Sequence, residues 1–416
     1  MLVEFSVKNF LSIKDMATLS MAAAAIHEHE ESNTQRVGNL ILLKSAALYG
    51  ANASGKSNLI KAFRFVKNFI LTSSKGTNIA DRIAVEPFML NTETENEPSF
   101  FETIFYVGEK RFRYNFEVNG QFVVSENLYF VPNKTEALLF ERKGDDIKTG
   151  NYFKEGKKIR ELTRKNALFL SVAAQFNGEI SKSVLEWFEN CHILSGLYDA
   201  ESMNYTKELL KNDEFKKKII SFIRSSDISV ENIELEEETE AEKSSYQNMV
   251  WEKMKYYNSF RVVSVHKKYG TENKEKAFTQ FDFSKSESDG TNKLLALAGL
   301  ILSAKEKQKV LIIDEFDARL HPLLSIQLIR QFNSSEANRM ASQLIITSHD
   351  LKLMSANLFR RDQIWFTDKN SFEETRLYSL VEFKGVRNDT VIEKNYFDGR
   401  YGAIPYLSEI STEFLS

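Results

Sequence analysis

Gly50-Ala51-Asn52-Ala53-Ser54-Gly55-Lys56-Ser57 is a glycine loop that ends in a lysine and a hydroxyl. Glycine at the first and sixth positions lets the backbone curl, so that its N–H groups point at a phosphate chain. The lysine reaches the β- and γ-phosphates, and the serine hydroxyl ligates Mg²⁺. Just before the loop, Ser45–Tyr49 is a short apolar run that reads as a strand. Just after it, apolar residues fall at 59, 60, 63, 66, 69 and 70, which is helical spacing. Strand, glycine loop, helix is the order a phosphate loop requires, and the helix N-terminus adds favourable partial charge. Gly50, Asn52, Gly55, Lys56, Ser57 and Asn58 are therefore the candidate nucleotide-binding residues, with ATP and Mg²⁺ as the expected ligands.

Further along, Val310-Leu-Ile-Ile-Asp314-Glu315 is a continuous apolar run closed by two acids. Such a run marks a strand buried on both faces. At its end Asp314 can hold Mg²⁺, partly through water, and Glu315 can polarise the attacking water. Alone, the pair also fits a strand that ends in acids at a turn. A second buried strand, Gln343–Ser348, leads to His349. A strand-end histidine can hydrogen-bond a γ-phosphate, although a lone histidine is more often structural. Ser286–Lys293 contains Ser288-Asp289-Gly290 ahead of the helical run Leu294–Ser303. By itself this is a good turn and helix cap, and its N–H groups would also suit an anion.

The remaining sequence sets limits. With 416 residues, two or three lobes are expected. The balance of 55 basic and 58 acidic residues lacks the basic excess of a dedicated duplex-DNA binder, so nucleic acid is expected only locally or through a partner. One cysteine, Cys191, excludes an intrachain disulfide and any zinc site needing two cysteines. No run of about 18 apolar residues is present and no signal-peptide core is seen, so a cytoplasmic protein without membrane contact is expected. Residues 99–131 alternate, with turns at Gly108-Glu109-Lys110 and Asn119-Gly120, which predicts an antiparallel meander. Residues 179–258 read as mostly helical and carry the acidic stretch Glu231–Glu242, a solvated face or a dock for a basic partner. His27 and His29 sit in a polar stretch, read as a loop rather than a metal site. Three divisions are expected: 1–178 with the glycine loop and meander, a helical insertion at 179–258, and 259–416 with the acidic pair and His349.

The order Gly50–Ser57, Ser288–Thr291, Asp314-Glu315, Asp317 and His349 resembles the ABC-type ATPases of the SMC, RecF and OLD group. The resemblance covers most of the chain. It implies an α/β fold: an ABC-type P-loop NTPase head with an antiparallel β-subdomain and a helical insertion. It also implies that two heads sandwich two ATPs. Ser288, Asp289 and Gly290 of one head would then face the glycine loop of the other, Asp317 would lie in the D-loop, and His349 would be the switch histidine. The signature reads Ser-Asp-Gly-Thr rather than Ser-Gly-Gly-Gln, a kind of variation known in this group. Gln175, after the apolar run Ala167–Ala174, is the implied glutamine-loop residue.

Val3-Glu4-Phe5, Asn9-Phe10, Ser12-Ile13, Asn166–Ser171 and Asn395–Pro405 are similar to one branch, the stand-alone bacterial anti-phage ATPases of the RloA and AbiL type and the PARIS ATPase. That implies a homodimer or higher homo-oligomer acting in antiviral defence and abortive infection, with a separately encoded effector such as a Toprim-like nuclease. The span between Gln175 and Ser288 is 113 positions (288 − 175), so a helical hairpin at 180–258 would reach at most about 60 Å. Only 67 residues follow His349 (416 − 349), too few for a Toprim domain, so no nuclease is expected in this chain. A RecF-like repair ATPase that binds DNA directly is the alternative; a transporter ATPase is disfavoured by the N-terminal segment and the long insert.

Overall fold

The computed structural model describes residues 1–405 except 76–77, 79, 133–134, 198–199, 227, 239–259 and 387–389. Two sheets clasp one helix. The central sheet runs in the order β11 (Cys191–Ser195), β15 (Val310–Asp314), β16 (Gln343–Thr347), β5 (Ser45–Tyr49), β17 (Ile364–Lys369) and β18 (Thr375–Ser379). All its pairings are parallel except the last. Its middle strands are buried throughout, as their unbroken apolar runs require. The second sheet is antiparallel, in the order β10 (Asp146–Thr149), β9 (Ala137–Lys143), β8 (Val123–Val131), β7 (Lys110–Val118), β6 (Ser99–Val107), β1 (Leu2–Lys8), β2 (Ala17–Ser20). The predicted meander is β6–β8, with Gly108 at φ 57° in its first turn.

Helix α1 (Lys56–Thr72) lies between the sheets. Its buried residues Leu59, Ile60, Ala62, Phe63, Val66 and Ile70 repeat at helical spacing, and Phe63 stacks on Phe5 of β1 at 3.6 Å between ring centroids. Trimming such a buried ring to alanine costs about 3–5 kcal/mol. The opposite face of the central sheet is covered by a second core that includes Leu294, Leu297 and Ile301 of a 19-residue helix, Asp289–Lys307. That helix crosses Ala200–Leu210 so closely that a Cβ on Gly299 would sit 2.6 Å from Thr206 Oγ1. The architecture is the α/β P-loop head that the sequence predicts, with an antiparallel β-subdomain and inserted helices.

The interval 179–258 is less uniformly helical than its pattern suggests. It contributes helices Glu179–Glu189, Ala200–Leu210 and Asp213–Arg224, but also β11 in the central sheet and β12 (Asn232–Glu237), which pairs with β13 (Phe260–Tyr269). A five-residue strand flanked by helices carries too few alternations to stand out. In the acidic stretch, Glu236 pairs with Arg261 at 2.9 Å, while Glu240 and Glu242 lie outside the described residues. His27 contacts the nearby Glu30 at 3.2 Å, and the His29 ring contacts the distant backbone carbonyl of Ala356 at 2.7 Å, so each exposed histidine is occupied by a different partner. Among the described residues no helix is long and apolar enough to cross a membrane.

Candidate nucleotide site

The parallel register brings the carboxyl ends of three strands to one level. Ile313 of β15 is beside Ile346 of β16, and Thr347 is beside Leu48 of β5. Asp314, Thr347 and the start of the glycine loop therefore share one edge, the edge at which open parallel sheets receive ligands. The loop turns through Ala53 at φ 61° and Gly55 at φ 108°, and α1 starts at Lys56. Lys56 is buried, and its Nζ donates to Gly50 O at 2.7 Å and Ala51 O at 3.0 Å. These bonds draw the ammonium across the loop and use two of its three donors. Burial lowers its pKa to about 8, against the pull of Asp314, Glu315 and Asp317. Asn52 is exposed at the loop's apex, and Ser57 is half-buried in the first turn of α1. Asn58 is turned to Ser12, to whose Oγ its Nδ2 donates at 2.7 Å.

Thr347 organises the acidic pair. Its hydroxyl donates to Asp314 Oδ1 at 2.5 Å and accepts from the Glu315 N–H at 2.8 Å. Glu315 sits at φ 50°, so the chain turns sharply there, and the next N–H, of Phe316, donates to Thr347 O at 3.0 Å. The His349 N–H reaches Asp317 Oδ1 at 3.4 Å. The His349 imidazole is exposed at this edge, and its pKa is lowered by partial desolvation and then by the Lys56 charge. Lys56, Asp314, Glu315, Asp317 and His349 thus form one cluster.

Ser288, Asp289 and Gly290 begin the Asp289–Lys307 helix. Ser288 Oγ caps it by accepting from Thr291 N at 3.2 Å. Ser288 and Asp289 are exposed, and among the described residues no hydrogen bond joins them to residues 50–57. Gly290 rests on the turn that follows Glu315: a Cβ there would lie 2.7 Å from Arg319 O. One helical turn on, the buried Lys293 Nζ donates to the carbonyls of Glu315 (3.3 Å), Phe316 (3.0 Å) and Ala318 (2.6 Å). The Ser288–Gly290 turn and the turn after Glu315 are therefore tied together by Lys293 and Gly290.

Gln175 is not brought to this cluster. It ends a short helix, Phe169–Gln175, whose Ser171 hydroxyl bonds Ile70 O. Ile70 is 14 residues from Lys56 (70 − 56), about 21 Å along α1. The strand that flanks β15 is instead β11, and Gly196 just beyond it donates to Asp314 O at 2.6 Å. A Cβ on Gly196 would lie 2.1 Å from Glu315 O. Thr347, Lys293 and Gly196 went unread in the sequence. The first two match no motif, and the third follows a strand hidden among helices.

As donors, Ser57 Oγ and the Asp314 carboxylate are hard oxygens of the kind Mg²⁺ takes. Among the described residues no group of three or more His, Cys, Asp or Glu could hold a metal by itself. The donor set therefore suits an ion shared with phosphate and water.

No curated protein matches the sequence. Solved structures similar to it include an SMC head bound to the C-terminal winged-helix domain of ScpA, at 14% identity and a TM-score of 0.46, covering 91% of this chain and 97% of that one. The SMC head domain from Thermotoga maritima is 11% identical with a TM-score of 0.43, covering 91% and 98%. An Smc head with an extended coiled coil, bound to the C-terminal domain of ScpA derived from Pyrococcus furiosus, is 13% identical with a TM-score of 0.41, covering 91% and 96%. The family described as "AAA domain, putative AbiEii toxin, Type IV TA system" matches residues 45–355, which take in the glycine loop, the acidic pair and His349. That is 311 of 416 residues (355 − 45 + 1), and the chain belongs to this AAA-domain family of P-loop ATPases.

Proposed function

We propose that this chain is a Mg²⁺-dependent ATP hydrolase whose heads dimerise around ATP, and that it is the sensor and scaffold of an anti-phage defence system. The observation that carries the hydrolase reading is the cluster of Lys56, Asp314, Glu315, Asp317 and His349 at the end of the phosphate-loop strand. In this reading the Lys56 ammonium and the N–H groups that open α1 hold the β- and γ-phosphates of ATP. Glu315 accepts a proton from the water that attacks the γ-phosphorus, the bond from that phosphorus to the β–γ bridging oxygen breaks, and ADP leaves with the electron pair. The Lys56 charge stabilises the departing phosphate oxygens. In the same reading His349 reports the γ-phosphate, which its exposure beside Lys56 and Asp317 supports. Ser57 and Asp314 would hold Mg²⁺, which would supply charge neutralisation to the triphosphate.

Dimerisation rests on the outward exposure of Ser288 and Asp289, which leaves them available to the phosphates of a second head. The defence role rests on the sequence resemblance and on the family's description, which names a putative toxin of a type IV toxin–antitoxin system. The effector is then a separate protein encoded nearby, such as a Toprim-like nuclease, and any nucleic acid is met through it. The test pairs ATP turnover with co-purification. Wild-type protein should hydrolyse ATP, Lys56→Ala should neither bind nor hydrolyse it, and the product of the adjacent reading frame should co-purify with the wild type. Equal turnover in the Lys56→Ala protein would defeat the hydrolase reading; absence of a retained neighbour would defeat the scaffold reading.

A further inference from the structure

The glycine loop is gripped from outside by a hairpin more than 300 residues later in the chain. A Cβ on Gly50 would lie 2.3 Å from Thr367 O and 2.7 Å from Thr367 Oγ1. On Gly55 it would lie 2.2 Å from Thr375 Oγ1. Both fixed glycines of the motif are thus pressed against threonines of the β17–β18 hairpin. Between them Ser54 is bonded twice: its Oγ is 2.6 Å from Thr367 Oγ1, and its carbonyl accepts from Thr375 Oγ1 at 3.0 Å. Thr375 also meets Ser12, through an N–H to Ser12 O at 2.8 Å and hydroxyl to hydroxyl at 2.7 Å.

The donors fall in one order. Asn58 Nδ2 can only donate, so Ser12 Oγ accepts from it at 2.7 Å. The Thr375 proton goes to a carbonyl, which cannot return one, so the Ser12 proton goes to Thr375. Thr367 Oγ1 lies 2.6 Å from Ser54 Oγ and 3.4 Å from Tyr49 O, and its proton can go to either. One directed relay results, Asn58 to Ser12 to Thr375 to the Ser54 carbonyl, and beside it the Thr367 hydroxyl joins Ser54 Oγ to the Tyr49 carbonyl. Thr367, Thr375 and Ser54 are each at most 5% exposed, so water cannot readily replace a lost member.

We infer that Thr367 and Thr375 are positioning residues for nucleotide, holding the glycine loop in its phosphate-binding shape through this hydroxyl relay. The inference rests on the ATP-binding reading. A loop ordered beforehand loses less conformational freedom on binding. It serves substrate and transition state alike, so its loss raises KM and leaves kcat nearly unchanged.

The experiment measures nucleotide affinity with a fluorescent ATP analogue, steady-state KM and kcat, and melting temperature. Thr375→Val keeps the shape and removes the hydroxyl. It should weaken affinity and raise KM roughly tenfold, with kcat within about twofold, as expected when the buried bond to the Ser54 carbonyl is lost together with the one from Ser12. Thr375→Ser, which retains the hydroxyl, should restore KM. Ser12→Ala, at a half-buried site, is the second probe. Its effect should be smaller and should not add to that of Thr375→Val, because both cut the same relay. If Thr375→Val binds as wild type does, or only lowers melting temperature and active fraction at unchanged KM, the inference is wrong. The Lys56→Ala control separates the two failures. If it binds as wild type does, the ATP-binding reading itself has fallen; if it alone loses binding, only the relay has.

Discussion

Lys56 is an ammonium group buried at the mouth of a loop whose own carbonyls bond it. Burial holds its pKa down at about 8 without nucleotide, and a triphosphate beside it would raise that value. Below about pH 7 the lysine is already charged and affinity should be level. Above about pH 8 binding must take up a proton, so affinity should fall roughly tenfold per pH unit until the bound-state value is reached. Calorimetry in two buffers of different ionisation heat should detect that uptake at pH 9 and not at pH 6.5; pH-independent affinity from 7 to 9.5 would refute it. Stability follows the same group with its own sign. The folded pKa lies below the ordinary 10.5, so the cost of the buried charge is present below about pH 8 and is relieved as pH rises towards 10.5.

The residues legible in the sequence were those whose chemistry fixes their spacing: Gly50, Gly55, Lys56, Asp314, Glu315 and His349. Thr347, Thr367 and Thr375 were not, because a threonine in a strand is unremarkable until the sheet order puts its hydroxyl beside a carboxylate or a loop.

At the scale of elements, the Asp289–Lys307 helix and the turn after Glu315 test the sandwich. Gly290→Glu should keep ATP binding in a single head and lose turnover. Yet even a methyl on Gly290 would strike Arg319 O, so this variant also disturbs the turn within its own chain. Ser288→Asp is cleaner. Aspartate caps helices about as well as serine, so melting temperature should hold, whereas Ser288→Ala should lose about 1 kcal/mol. The new carboxylate would repel the phosphates of a facing head, and turnover should drop at least roughly tenfold. Normal turnover by Ser288→Asp would leave the Ser288–Thr291 turn as a helix cap and nothing more. Element prediction worked where a pattern was long or punctuated, as in α1 and in the meander with its Asn119-Gly120 turn. It missed β11, whose five residues lie between helical runs, and with it the true neighbour of Asp314. Gln175 was proposed from its place in the chain, and chain position did not reveal that its helix docks at the far end of α1.

For the whole molecule, Glu315→Gln removes the proposed base and keeps the side-chain shape. With ATP and Mg²⁺ it should accumulate as a closed dimer by native mass while the wild type cycles back to monomer; a Glu315→Gln protein that stays monomeric at saturating ATP would contradict the sandwich. Mixing Lys56→Ala with Ser288→Asp chains should return some hydrolysis, because both lesions can fall in one composite site and leave the other whole. The purified protein should cut neither DNA nor RNA with Mg²⁺ or Mn²⁺. Cleavage that co-purifies through several columns and vanishes with a point mutation in this chain would overturn that.

The central sheet also imposes an order in time. β5 carries the glycine loop, yet its two neighbours are residues 343–347 and 364–369, and the clamp on Gly55 waits for Thr375. From Gly50 to Thr375 is 325 residues (375 − 50), about 15–65 s of ribosomal synthesis at 5–20 residues per second. Until residues 343–347 are made the apolar Ser45–Tyr49 segment has neither partner strand, and until residues 367–375 are made the loop that follows it lacks the threonines packed on its glycines. A chain that stops before about residue 360 carries the whole glycine motif without the hairpin packed against it, and is expected to bind nucleotide more weakly than the full chain in a fluorescent-ATP titration. Nucleotide binding by this head is thus expected to depend on segments made about 300 residues after the motif itself.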